Sequence, residues 1–222
     1  LRTYMVANLM WNPYADADSL RNHFVNGYYG KAAPYITKYL DELTSRLLAS
    51  KQPLWIYDSP VSHKHGMLSA EACALYNDLF DKAENSVADD STLLMRVRRS
   101  RLSLQFSQLE IARTEKDSDP RQTAALLDLF EQRVKEYDIP AINERNNPPT
   151  DYCHLYRERY LPHDDCNNLA RYCKVSYEPE PPMPYRNIAP TALTDGLFGG
   201  ATYVDSWVGW EGIDATIVLD LG

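Results

Sequence analysis

Apolar residues recur at the 3.6-residue helical period in four separate stretches, and this repetition constrains the fold more than any other feature. Tyr35, Ile36, Tyr39, Leu40, Leu43 and Leu47 form one stripe. Leu75, Tyr76, Leu79, Phe80, Ala83 and Val87 form a second. Ser69 before it has the hydroxyl that an N-cap needs, and the charge of Glu71 suits the positive end of a helix dipole. From Asp90 through Ile111 apolar residues fall on more than one side (Leu94, Val97 and Leu104; Met95, Leu102, Phe106 and Leu109), so this helix is expected in the middle of the core. "SDPRQTAALLDLFEQRVKEY" joins a cap, Asp119, and a first-turn proline, Pro120, to Leu126, Leu127, Phe130, Val134 and Tyr137 on one face. Helices that are apolar along one stripe bury it against one another, so a helical bundle is expected.

Before the bundle, Leu1 to Met10 reads as an apolar helix halted by "WNP", because Pro13 cannot continue it and biases Asn12 toward extended backbone. A short helix follows Asp16 or Asp18, carries Leu20, Phe24 and Val25, and is expected to stop at Gly27. Pro34 fits the first turn of the next. After Tyr137 the text changes. "NERNNPPTDY" and "HDDCNN" read as loops, and Pro179, Pro181, Pro182 and Pro184 crowd "YEPEPPMPY" too densely for helix or central strand. Lys174 to Tyr177 and Ala215 to Leu221 read as strands, too few to cover their own apolar faces.

A formal charge of −8 repels phosphate backbones and excludes nucleic acid as a partner unless basic residues concentrate locally. The one such run, "RVRRSR" at Arg96 to Arg101, reads as a helix whose arginines answer nearby acids. No apolar run approaches the roughly 20 residues of a membrane span, so no transmembrane segment is expected. The first residue is Leu, without a basic-then-apolar leader, so an upstream region is expected to be absent from this sequence. Cys73 falls on an apolar helix face. Cys153, His154, His163, Cys166 and Cys173 lack the close pairing of a zinc site, and one disulfide among the three cysteines fits an oxidising compartment better. Asp89–Asp90 and Asp164–Asp165 read as cap and polar loop rather than catalytic pairs, and His63 and His65 as exposed loop histidines.

Two stretches carry a resemblance. "LMWNPYADADSLRNHFVNGYYGKAAPYITKYLDEL", with its WNP and F..GYYG.AAPYI..YLD, resembles the family of unknown function numbered 4838, found in bacterial, largely Bacteroides-type proteins and associated with glycoside hydrolase family 163. "SAEACALYNDLFDKAENSVADDSTLLMRVRRSRLSLQFSQLEIA" continues that likeness. "PTALTDGLFGGATYVDSWVGWEGIDATIVLDLG" resembles the first third of a discoidin-like (F5/8 type C) β-sandwich.

The resemblance implies a mainly α chain: a helical bundle following a mostly absent (β/α)8 TIM barrel, with a partial C-terminal β-sandwich segment. It divides the chain into the end of the barrel region (1–30), the bundle (31–145), a loop-rich linker (146–172) and the start of the sandwich (173–222). It further implies a secreted or periplasmic glycoside hydrolase of the endo-β-N-acetylglucosaminidase type acting on complex N-glycans, its carboxyl groups on barrel strand ends. No catalytic residue is therefore expected in this chain, whose partners would be a glycan and the remainder of its own polypeptide. The other reading is a non-catalytic carbohydrate- or protein-binding module. Tyr203, Trp207 and Trp210 offer flat faces for sugar rings, although aromatics beside strands also serve as sandwich core. No cofactor is required; Asp195 and Thr202 could supply oxygen ligands to a structural calcium, with a plain Asx-turn at Asp195 as the alternative.

Overall fold

The computed structural model describes residues 1–55, 58–115, 118–143, 146–161, 169–171, 173–183, 185–186, 193–194 and 207–222. Polar caps set most helix starts. α1 (Arg2–Trp11) gives way to extended backbone at Asn12, with φ −135° and ψ 95°, as the following Pro13 demands. α2 (Ala17–Tyr29) starts where Asp16 accepts the Ser19 N–H at 2.8 Å. It runs through Gly27, the expected stop, and ends instead at Gly30, where φ is +53°. The additional turn is held by packing: Tyr28 stacks on Phe24 at 5.2 Å and the Tyr29 hydroxyl meets Ser100 at 2.8 Å.

After one 3-10 turn, α3 (Ala33–Ser50) carries Pro34 in its first turn. Ser69 caps α4 (Ala70–Ser86) through the Ala72 N–H, and Asp90 caps α5 (Ser91–Ala112) through the Leu93 N–H. Asp119 does the same for α6 (Pro120–Glu136). α7 (Pro149–Tyr160) occupies the stretch expected to be a loop-rich linker. Two prolines made that stretch look like loop, but Pro149 is the first helical residue, where a missing N–H leaves no bond unmade.

The chain forms two compact units, Leu1–Ile111 and Ala112–Gly222. In the first, α2, α3, α4 and α5 bury Val25, Ile36, Tyr76, Phe80, Val97 and Leu104 in one cluster. Tyr39 closes against Tyr76 edge-on at 5.1 Å and against Phe80 at 4.8 Å. Each large side chain buried this fully contributes about 1.5–3 kcal/mol of transfer free energy. α5 also buries Leu102 and Leu109 outside that cluster, in keeping with its apolar residues on more than one side. The expected boundary at residue 30 falls inside this unit, since Val25 and Ile36 belong to the same core.

In the second unit α7 packs on α6, with Tyr152 against Phe130 at 6.1 Å, and Arg157 reaches Asp128 and Glu131, each at 2.6 Å. β1 (Lys174–Glu178) pairs antiparallel with β2 (Thr216–Asp220), Ser176 opposite Val218. Alternation then places Val175, Tyr177, Ile217 and Leu219 on one face, and Lys174, Ser176, Glu178, Thr216, Val218 and Asp220 on the other. The chain is thus mainly helical, with one two-stranded sheet among the described residues.

Candidate functional site

Trp210, one of the expected carbohydrate-site aromatics, packs on the apolar face of the sheet. Trp210 is tied down there: its indole N–H donates to the Pro179 carbonyl at 2.8 Å and its ring meets Tyr177 at 5.6 Å. Next to it, the Gly209 N–H donates to the Tyr185 carbonyl at 3.1 Å, and the Tyr185 hydroxyl donates to Glu211 at 2.9 Å. Trp210 is half-buried and serves as cover for the strand pair, whereas Trp207 keeps 51% of its surface exposed. Tyr203, the third aromatic of that set, and Asp195 and Thr202, the expected calcium ligands, lie outside the described residues.

Sequence reasoning passed over Tyr177, Tyr185 and Glu211, which frame Trp210. The proline-dense "YEPEPPMPY" holds the two tyrosines, but nothing local announces that a tryptophan about 30 residues on will pack there. Burial raises the Tyr177 phenol above its ordinary range. Ile217 and Leu219 on the same face remain 44% and 42% exposed, so Trp210 covers only part of it.

In the first unit, His63 is buried, not in an exposed loop as expected. Its Nε2 lies 2.9 Å from Asp58 Oδ2, which also accepts the Trp55 N–H at 3.2 Å. The hydrogen bond from His63, first, and that of Trp55 hold the Asp58 carboxyl below its ordinary value of 3.8. His63 Nδ1 is buried without a hydrogen-bond partner. An imidazole held by a carboxylate resembles a general base, but its second nitrogen faces no solvent, so the pair fixes a turn rather than carrying a proton to a substrate. His65 is exposed, as the sequence implies.

The remaining sequence candidates resolve into structural roles. Asp90 caps α5, and Asp89 lies 3.5 Å from Lys31 on the surface. Arg96 donates to the Tyr28 carbonyl at 3.0 Å and stacks over the Tyr28 ring. Arg98 and Arg101 both bind Glu84 at 2.9 Å, and Arg101 also binds Asp81 at 2.6 Å. Arg96, Arg98 and Arg101 therefore answer groups of their own unit rather than a polyanion.

Cys153 is fully buried, with its thiol pushed up to about 11 by desolvation, while neighbouring His154 points outward to Glu158 at 3.3 Å. Consecutive helical residues diverge in this way and do not converge on one ion. Cys153 and Cys173 are free thiols, so no disulfide joins them; His163, Asp164, Asp165 and Cys166 lie outside the described residues. Among the described residues no three His, Cys, Asp or Glu side chains are grouped to hold a metal, and no helix is long and apolar enough to cross a membrane.

No curated protein and no solved structure matches the chain. Residues 1–41, covering α1, α2 and the first half of α3, match the family described as "Domain of unknown function (DUF4838)".

Proposed function

We propose that this chain is a non-catalytic accessory region of a larger, secreted or periplasmic glycan-degrading enzyme of the endo-β-N-acetylglucosaminidase type, whose carboxyl catalysts belong to a barrel outside these residues. The observation that carries the reading is the family match over residues 1–41, which runs unbroken from α1 into α3 and shares its core with α4 and α5. The matched segment is thereby bonded to the rest of its unit by packing, as expected of a shoulder built onto a preceding domain. Asp90 caps α5 and Asp89 faces Lys31 at the surface, so each of this acidic pair has a structural role. In this reading the partly covered apolar face of β1 and β2 is the start of a β-sandwich of the discoidin-like kind, completed by further strands of the same polypeptide, and Trp207 is a surface on which a sugar ring stacks.

The test compares hydrolysis of complex N-glycan glycoproteins by this chain and by the longer polypeptide that contains it. The chain alone releases no oligosaccharide, and the longer polypeptide releases glycans cut within the chitobiose core. Hydrolysis by the chain alone, or none by the longer polypeptide, overturns the proposal.

A further inference from the structure

The first unit contains a cavity of about 270 Å³ lined by helices α2 to α5, with Leu1 at one side. Its floor is apolar and dry in character: Val25, Ile36 and Phe80 are each at most 3% exposed. Its walls add Phe24, Leu40 and Leu43, and the exposed Leu1 and Ser103 also line it.

Two phenols and two serines are the polar groups along it, and their hydrogen bonds have a direction. Ser100 donates its hydroxyl proton to the Arg96 carbonyl at 3.0 Å, so in the 2.8 Å contact with Tyr29 the proton comes from the phenol. Ser103 likewise donates to the Ser100 carbonyl at 3.2 Å. The Tyr29 phenolic proton is thus committed to a serine whose own proton is committed to an α5 carbonyl. What the cavity presents is the Tyr29 phenolic oxygen with a lone pair to spare, set in an aliphatic and aromatic lining.

We propose that this cavity is a binding site for a compact, flat, mostly apolar molecule of one or two fused rings that carries a hydroxyl or N–H donor. The size fits: apolar cavities of about 150 Å³ accept benzene, and small-molecule pockets begin near 300 Å³. The polarity is selective because a ligand that donates satisfies a phenolic oxygen, whereas one offering only acceptors leaves it unpaired. This inference is independent of the glycan reading, which concerns a face of the second unit.

The experiment titrates the chain with phenol, indole, toluene and anisole, following the NMR signals of Val25, Ile36 and Leu40 methyl groups. Phenol and indole are expected to bind and to shift these signals, with phenol about five- to tenfold tighter than anisole, the scale of one hydrogen bond. Tyr29→Phe is expected to reduce the preference for phenol while leaving toluene binding in place, and Leu40→Trp to fill the space and abolish both. Binding by none of the four, equal binding of phenol and anisole, or unchanged binding in folded Leu40→Trp overturns the proposal. If either variant loses its helical circular dichroism, the phenol and anisole comparison on the unaltered chain decides.

Discussion

Asp58 and His63 lie on either side of a turn that no periodicity marks, yet they meet at 2.9 Å with the imidazole buried. In the folded chain the Asp58 carboxyl titrates below its ordinary value of 3.8. Its contribution to stability is accordingly complete above that ordinary value and is lost as pH falls through the lower folded one. Asp58→Asn is expected to remove this component. Thermal melts of both proteins between pH 7 and pH 3 check it: the melting temperature of the unaltered chain should fall more steeply toward pH 3 than that of the variant. Parallel curves would assign the acid sensitivity to other carboxylates. The sequence shows both residues but not their meeting. His63 lies beside Lys64 and His65 in polar text, and its burial is imposed by the fold around it.

Helix starts were the most legible elements, because a cap is a local event. Ser69, Asp90 and Asp119 each announce a helix and each accept the expected backbone N–H. Ends were less legible, as the two glycines of α2 show. Gly27 and Gly30 are equally good stop signals as letters, and only the packing of Tyr28 and Tyr29 chooses between them. The choice can be measured. Gly27 has nothing within 4 Å of an added Cβ, so Gly27→Ala is expected to stabilise the chain by about 0.5–1 kcal/mol through helix propensity. Gly30 has φ +53° and an added Cβ would meet Leu93 Cδ1 at 2.8 Å, so Gly30→Ala is expected to destabilise by about 1–3 kcal/mol. Chemical denaturation of the two variants reads the difference, and equal effects would place the helix end wrongly. α7 was missed for the converse reason: Pro148 and Pro149 suppress a helical reading although one of them opens the helix.

At the scale of the whole molecule, the bundle was readable from its stripes, and the division into two units was not, because a boundary depends on which faces meet. The aromatic site at Trp210 shares that limit: its neighbours Tyr177 and Pro179 lie about 30 residues away in the chain, Tyr177 on a strand paired with a distant one. The sheet also carries a solution property. Exchanging the half-exposed pair together, Ile217→Lys with Leu219→Glu, is expected to lower binding of a hydrophobic dye and raise the solubility limit. The helical signal should stay unchanged. Unaltered dye binding would show that the apolar surface lies elsewhere.

The pairing of β1 with β2 has a further consequence for how the chain acquires its shape. Residues 179 to 215 separate the partners, so this ladder must close a long loop before gaining any bond, while each helix gains bonds a turn at a time. During synthesis β1 leaves the ribosome with its edge bare and waits for β2 to emerge. Throughout that interval Val175 and Tyr177 are without their cross-strand neighbours, which makes the later strand the guardian of the earlier one.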